Sequence, residues 1–579
     1  MNAEVVPAGM LDRFLAVTGS GGSGALTTGQ ILMDAVAAAG FYGLLTRSVG
    51  PQIRGGESAA LLRFGPEPIQ CPGDRLDLLV GLDWLNVERF AEELPLDANS
   101  LILADPAAGA VPAILLASGA QVREVPFKEL VAKVAGGRVN MVALGVLGGL
   151  VGLPLSALQA GVRRALAGKG ESTTQSALEC VGLGYEQMAP ATTVAGSGST
   201  TSRWMLSGNE AAGLGALRGG VRFVAAYPIT PASEILEWLA PRLPKVGGQL
   251  LQAEDELASI NMIIGASFGG VPSLTATSGP GLSLMLESLG LAVASETPLV
   301  VVNVMRGGPS TGIPTKTEQG DLNVALHGMH GDAPHLVLAP LSVVDCAFTT
   351  QWAVGLAEHL QAPVILLSDQ FLGQSRVITD APEQAAPLPQ RRVALEPGPG
   401  YQRYALTPDG ISPMTLPGTP GGMYTADGLE HGTLGHPSSR SLDHRAQMDK
   451  RRDKLLGVDW GDAWGQVEGD GPLVLVTWGS SAGALFEAAS RLRRLGIPTR
   501  AVALRLLAPL PCEVLAPLLA DAERLWVVEL NQGAQLFHWL RAHALLPALA
   551  RSHARPGPLA LRAGEIVDLI RGEAQHERS

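Results

Sequence analysis

Four short runs between Tyr227 and Leu322 bring together residue types able to do chemistry. They are Tyr-Pro-Ile-Thr-Pro at 227–231, the acidic triplet Glu254-Asp255-Glu256, Thr-Ser-Gly-Pro-Gly at 277–281, and Met-Arg-Gly-Gly-Pro-Ser-Thr-Gly at 305–312. Between them they supply a turn hydroxyl, a carboxylate on a helix, a glycine loop and an arginine. That set suits a small 2-oxoacid held against an organic cofactor.

Each member has an ordinary alternative. Pro228 and Pro231 restrict the backbone on both sides of Thr230, so its hydroxyl is aimed with little entropy left to lose; a plain capped turn has the same residues. Glu256 opens a predicted helix in which Ile260, Ile263 and Ile264 form an apolar face. Solvated, it would only favour the first turn through the helix dipole. Tucked against a ligand, it is the carboxylate that thiamine diphosphate needs: hydrogen-bonded to the aminopyrimidine ring, it favours the imino tautomer that removes the thiazolium proton. Arg306 follows an apolar strand, where parallel-sheet enzymes place ligands. It can grip a carboxylate with two parallel bonds or serve in a structural ion pair.

Two glycine motifs need separate treatment. Gly19-Ser20-Gly21-Gly22-Ser23-Gly24 fits G-x-G-x-x-G between a strand at 14–17 and a helix from Ala25 to Ala39. A dinucleotide site calls for an acid about 20 residues further on, and Gly43-Leu44-Leu45-Thr46-Arg47 has none. NAD is therefore disfavoured. The loop either cradles a phosphate on the helix N-terminus, with Arg54-Gly55-Gly56 near in sequence, or is a structural turn. Gly469-Asp470-Gly471 is similar to the triplet that holds Mg²⁺ and diphosphate in thiamine enzymes, but no Asn follows at 495–505. It reads as a turn. The chain thus carries a candidate pyrimidine-activating half-site and no metal–diphosphate half-site.

The elements that must position these residues alternate as α/β layers. Residues 1–186 form a first domain, with further strands expected at 78–81, 101–104 and 140–147 and a helix from about Pro154. Residues 187–203 have linker composition. Residues 204–379 form a second α/β domain with strands at 223–226, 273–276, 298–304 and 364–367. Residues 380–469 make an irregular arm ending in a charged helix, and 470–579 a smaller βαβαβα domain.

Composition narrows the function. Glycine is 71 of 579 residues, against an average share of about 7%, which favours glycine-rich α/β turns. A net charge of −12 disfavours nucleic-acid binding. The cysteines at 71, 180, 346 and 512 form no close pair. That argues against a disulfide framework or a self-contained iron–sulfur site and fits a reducing cytoplasm. The first residues lack the pattern of a signal peptide. Met141 to Val162 is apolar enough for a membrane test, but its glycines and Pro154 divide it into a buried strand, a loop and a helix.

These motifs resemble the alpha subunit of 2-oxoacid:ferredoxin oxidoreductases in the form with an N-terminally fused gamma domain, closest to the 2-oxoglutarate type. The resemblance covers nearly the whole chain. It rests on the runs above and on Gln319, Asp321-Leu322, Arg403-Tyr404, Asp409-Gly410-Ile411-Ser412-Pro413, Glu430-His431, Lys450-Arg451-Arg452, Trp478-Gly479-Ser480 and Val528-Glu529-Leu530-Asn531. It implies a Rossmann-like gamma domain, a pyrimidine-type thiamine-diphosphate-binding domain and a transketolase C-terminal-like domain. Thr230 and Arg306 are expected to contact the 2-oxoacid carboxylate, with Ser310, Thr311, Thr315 and Lys316 available for a second carboxylate, as in 2-oxoglutarate. Glu256 is expected to activate the pyrimidine, with Thr277, Ser278 and Gly279 lining the cofactor. Gly19, Gly21, Gly22, Gly24 and Arg54 are candidates for a coenzyme A or phosphate loop.

The resemblance further implies a cytoplasmic (αβ)₂ heterotetramer, with no membrane association. Its separate beta subunit is expected to bring Mg²⁺, the diphosphate site and a 4Fe–4S cluster. The implied reaction is oxidative decarboxylation with coenzyme A and ferredoxin, reversible as CO₂ fixation. Alternatives are a pyruvate or branched-chain substrate, or a non-catalytic scaffold that completes a partner's site.

Overall fold

A computed structural model describes residues 12–50, 56–188 and 203–576. The chain forms two compact units. One comprises residues up to Leu206 with Gln374–Ala381 and Arg562–Glu565; the other comprises Ser207–Gly373, Pro382–Leu561 and the residues from Ile566.

The first unit is built on an eight-stranded sheet in the order 121–124, 101–104, 78–81, 13–20, 57–65, 42–49, 376–379, 204–207. The strands at 13–20, 78–81, 101–104 and 121–124 run parallel. Those at 57–65 and 42–49 extend the sheet antiparallel. The expected strands at 78–81 and 101–104 are present. The expected strand at 140–147 is instead the helix Val139–Leu150.

The physical reason for that difference is packing on every side. A helix that is apolar all round loses its periodicity and belongs in a core. Here Gly145 and Gly184 let two helices touch backbone to backbone: a Cβ on Gly145 would lie 2.1 Å from the Val181 carbonyl, and one on Gly184 would lie 2.1 Å from the Val142 carbonyl. The helix shares its core with Val17, Met33, Phe64 and Val181. Two helices follow, Leu155–Ala165 and Glu171–Gln187. Among the described residues no helix is long and apolar enough to cross a membrane.

The second unit carries a seven-stranded sheet ordered 506–508, 336–338, 363–369, 299–305, 273–277, 223–226, 249–252. It is parallel except for the edge strand Leu506–Ala508, contributed from the last part of the chain. A five-stranded sheet, 465–468, 499–504, 473–478, 524–529, 551–554, completes the unit. The central strands Leu299–Met305 and Pro363–Asp369 are buried at every residue, as a sheet covered on both faces requires.

The irregular arm is tightly anchored. Helix Ser441–Leu456 sends Lys450 and Lys454 to the two oxygens of Glu296, which is 1% exposed. Arg403 donates to the Glu296 carbonyl at 2.9 Å. Burial alone would raise the Glu296 carboxyl, but Lys454, Lys450 and Arg403 hold it well below the usual carboxylate range.

Candidate active site

Strand order locates the site. From the strand Phe223–Ala226 the chain moves outward to 249–252, whereas from 273–277 it moves the other way to 299–305. The carboxyl ends of 223–226 and 273–277 therefore form a topological switch point, where open α/β sheets bind ligands. Tyr227–Pro231 follows one of these strands and Ser278–Gly281 the other.

The acidic triplet divides its labour. Asp255 caps the helix Glu256–Phe268 by accepting from the Ala258 N–H at 2.7 Å. Glu254 is exposed, while Glu256 turns inward and is 7% exposed. Gly281 forms its cradle. A Cβ there would lie 2.8 Å from Glu256 Oε1 and 2.0 Å from Thr277 Oγ1. Bare backbone at 281 thus lets the Glu256 carboxylate and the Thr277 hydroxyl share one spot beside the first turn of the helix Gly279–Ala294.

Arg306 is 8% exposed and donates from Nη1 to the Thr230 carbonyl at 2.6 Å. The structure thus joins Arg306 to the Thr230 backbone, while the Thr230 residue itself is exposed. Burial lowers the Arg306 pKa and the Asp321 charge opposes that. Asp321 accepts from Asn303 Nδ2 at 2.9 Å and lies against Gly279. Burial raises the Asp321 carboxyl, against the pull of Asn303 and Arg306. Asn303 is register partner of Thr277, so the two strand ends meet at this carboxylate. Burial likewise raises Glu318, against the Gly308 N–H.

Polar atoms buried here without a hydrogen-bond partner include Ser278 Oγ, Asn303 Oδ1, Arg306 Nε and Thr315 Oγ1. Such groups are costly unless something completes them. Ser310 and Thr311 lie exposed on the loop after Arg306, and Thr315 and Lys316 are half-buried. One strand over, Asp369 ends the strand Pro363–Asp369 as register partner of Met305. Burial pushes its carboxyl up to about 6, against the Leu372 N–H that donates to it at 2.9 Å.

In the first unit, a cavity of about 740 Å³ is lined by Gly21–Thr27, Gly56–Ser58, Arg138, Asn140 and Lys169, among others. Gly22 and Gly24 have φ of +97° and +94°, a backbone that glycine adopts without strain. Gly19 lies in the strand Arg13–Ser20, and a Cβ on it would lie 2.6 Å from Ser23 Oγ; it shapes the turn and is absent from the cavity lining. Arg54 falls outside the described residues, as does most of the 187–203 linker. The first turn of Ala25–Ala38 carries no side-chain cap, which leaves its N–H groups available to an anion.

Several of these residues were not foreseen from sequence. Arg138 and Asn140 flank the start of the misassigned helix; a charged residue and an amide beside an apolar run are the signal that marked them. Asn303 sits inside a run of valines, and a lone amide among β-branched residues was the available clue. Gly281 belongs to a glycine motif, but its role as a cradle depends on tertiary contact with Glu256.

The family described as "Pyruvate flavodoxin/ferredoxin oxidoreductase, thiamine diP-bdg" matches residues 214–450. "Pyruvate ferredoxin/flavodoxin oxidoreductase" matches residues 15–187. The 2-oxoglutarate oxidoreductase subunit KorA of Mycobacterium tuberculosis is 36% identical over 455 residues, covering 75% of this chain and 68% of that protein. The 2-oxoglutarate synthase subunit KorA of Methanothermobacter thermautotrophicus is 35% identical over 368 residues, covering 62% of this chain and 96% of that protein. A solved 2-oxoglutarate:ferredoxin oxidoreductase from Magnetococcus marinus, with 2-oxoglutarate, coenzyme A and succinyl-CoA bound, superposes with a TM-score of 0.89. It is 35% identical and matches 97% of this chain and 99% of its own.

Proposed function

The chain belongs to the alpha subunits of the 2-oxoacid:ferredoxin oxidoreductases, and on that premise we propose that it provides the substrate and pyrimidine half of a 2-oxoglutarate-oxidising active site. It is an α/β oxidoreductase chain of the thiamine-diphosphate-binding class. The overall reaction converts 2-oxoglutarate, coenzyme A and two oxidised ferredoxins to succinyl-CoA, CO₂, two reduced ferredoxins and a proton. Run backwards it fixes CO₂.

The residues fit the cofactor. A buried carboxylate over a bare glycine, with the unpartnered Ser278 Oγ nearby, suits the aminopyrimidine edge, which offers both donors and acceptors. Glu256 would accept a hydrogen bond from the ring nitrogen, and Thr277, Ser278 and Gly279 would line the ring. When bound, thiamine diphosphate supplies the nucleophilic carbon and the electron sink for decarboxylation. Arg306 would hold the 2-oxoacid carboxylate, with its idle Nε and remaining N–H groups available for paired bonds. Thr230, whose carbonyl holds Arg306 Nη1, would meet the same carboxylate beside it, and Ser310, Thr311 and Lys316 lie on the loop that would meet the distal carboxylate. The cavity at Gly21–Gly24 suits a phosphate-bearing co-substrate, and coenzyme A is the one this reaction uses.

A separate beta subunit would bring Mg²⁺, the diphosphate site and the 4Fe–4S cluster, in an (αβ)₂ assembly that reduces ferredoxin. Among the described residues no group of three His, Cys, Asp or Glu is placed to hold a metal. All four cysteines are free, which supports a reducing cytoplasm.

The buried Glu256 beside Thr277, one strand end from Arg306, carries this reading. Viologen reduction by the purified chain, alone and with its beta subunit, tests it across a panel of 2-oxoacids. Turnover is expected only from the complex, with 2-oxoglutarate preferred over pyruvate by about tenfold or more, the discrimination expected when a polar contact to the distal carboxylate is met or missed. Turnover by the chain alone would overturn the half-site, and a preference for pyruvate would overturn the substrate.

A further inference from the structure

Arg306 has few restraints of its own. Nη1 holds the Thr230 carbonyl at 2.6 Å, and Nε has no partner. Beyond that one bond, its position depends on the backbone that carries it. That backbone leads into a loop closed at its neck, with the Gly307 N–H donating to Lys316 O at 3.0 Å and the Ile313 N–H to Gly307 O at 2.8 Å. A Cβ on Gly312 would lie 1.7 Å from Gly307 O, so the neck is closed to any larger residue. Arg306 stands at one foot of this loop. Gln319 stands at the other.

Gln319 is 0% exposed. Its Nε2 donates to Trp478 O at 2.8 Å. Its Oε1 accepts from Ser481 Oγ and from the Leu530 N–H, both at 2.9 Å. Its own N–H donates to Leu530 O at 2.7 Å. Gly479 has φ +58°, and a Cβ there would lie 2.7 Å from Gln319 Nε2. The Trp478–Ser481 turn is thus left bare where the amide docks. The segment is held on both sides of Gln319. A Cβ on Gly557 would lie 2.2 Å from Thr317 O. Gln535 Nε2 donates to Gly320 O at 2.8 Å and Gln535 Oε1 accepts from the Asn323 N–H at 2.8 Å.

We propose that Gln319 is a positioning residue for the substrate arginine, fixing the Arg306 loop to the Trp478–Ser481 turn and to Leu530. The five-stranded sheet then has a task in substrate binding: it is the frame against which the guanidinium is held. A shift at Gln319 passes through Lys316 to Gly307, the residue next to Arg306. Asp321, two residues beyond Gln319, moves with the same segment.

The inference rests on Arg306 as the carboxylate-binding residue, and the test separates the two. In the assembled complex, Gln319→Glu removes the donor to Trp478 O and places a charge against a carbonyl. It should raise KM for 2-oxoglutarate about tenfold, in line with the steep cost of small misplacements. The values of kcat and of KM for coenzyme A should stay within about threefold. Ser481→Ala, which removes one donor and adds no charge, should raise the same KM about threefold, and it decides the matter if Gln319→Glu fails to assemble. Added to Arg306→Ala, neither change should raise KM further, since coupled residues are not additive. An unchanged KM in Arg306→Ala overturns the substrate reading. A raised KM there, with KM unmoved in Gln319→Glu and Ser481→Ala, overturns the positioning role alone. Multiplying effects in the double variants would also overturn it.

Discussion

The Gly21–Gly24 cavity and the strand-end cluster around Glu256 are constructed from different material. The first is mostly backbone: a glycine loop with left-handed φ, an uncapped helix start, and Arg138 and Lys169 in its wall. It encloses about 740 Å³. The second is mostly side chains, with Glu256 and Arg306 buried and polar atoms of Ser278, Asn303, Arg306 and Thr315 unpartnered. Backbone amides recognise a charge that many ligands carry. Buried side chains with unmet hydrogen-bonding capacity demand a particular partner, because leaving them unmet costs about 1–3 kcal/mol each. One region offers a space walled by backbone; the other offers buried side chains whose hydrogen-bonding capacity is left for a ligand to meet.

The sharpest way to break this contrast is Glu256→Gln. It keeps the shape and removes the charge, so turnover should fall by about 10²–10⁴, the range for a lost proton-transfer group, while the complex still elutes intact. Near-normal turnover would return Glu256 to a structural role. Arg306→Ala comes next: KM for the 2-oxoacid should rise by about 10- to 100-fold for the loss of a charge-assisted pair, with KM for coenzyme A unmoved.

Gly24→Ala probes the other region. At φ +94° an alanine costs about 1–2 kcal/mol, and its Cβ would lie 2.5 Å from Asn140 Nδ2. KM for coenzyme A should rise by about 5- to 30-fold, and KM for the 2-oxoacid should stay put. If both move together in either variant, the two regions are not separately addressed.

The smallest effect concerns stability. Burial raises Asp369 from 3.8 to about 6. Between those pH values the folded chain keeps a proton that the unfolded chain releases. The stabilising contribution is therefore full below pH 3.8 and lost as pH rises through about 6. Asp369→Asn cannot ionise, so it should melt a few degrees above the parent at pH 8, with the gap narrowing toward pH 5. An equal gap at both values would rule out titration at this residue.

The sequence made parts of both regions legible, for reasons that differ. Glu256 could be placed because its helix keeps an apolar face at Ile260, Ile263 and Ile264, all buried in the structure. The strands ending at Ala226, Thr277 and Met305 announced themselves as short β-branched or apolar runs between glycines and prolines. The helix Val139–Leu150 did not, because burial on every face erases the period that separates helix from strand. The strand Glu57–Gly65 was missed because it buries Glu57 and Arg63 along with its apolar residues. Pairings such as Asn303 with Asp321 and Gln319 with Ser481 come from register and turn geometry, which no local window contains.

The carboxylate of Glu296 has a consequence for how this protein can move. Lys450, Lys454 and Arg403 all converge on one residue of the strand-bearing domain. To lift the arm away would uncover an excess of positive charge with a single counter-charge left behind, and stranding buried ions costs about 3–5 kcal/mol. Gates that open in every turnover are made of contacts that water can replace. The 380–455 segment has the composition of a flap but is fastened like a keystone, so any opening that admits substrate or product has to occur at some other seam.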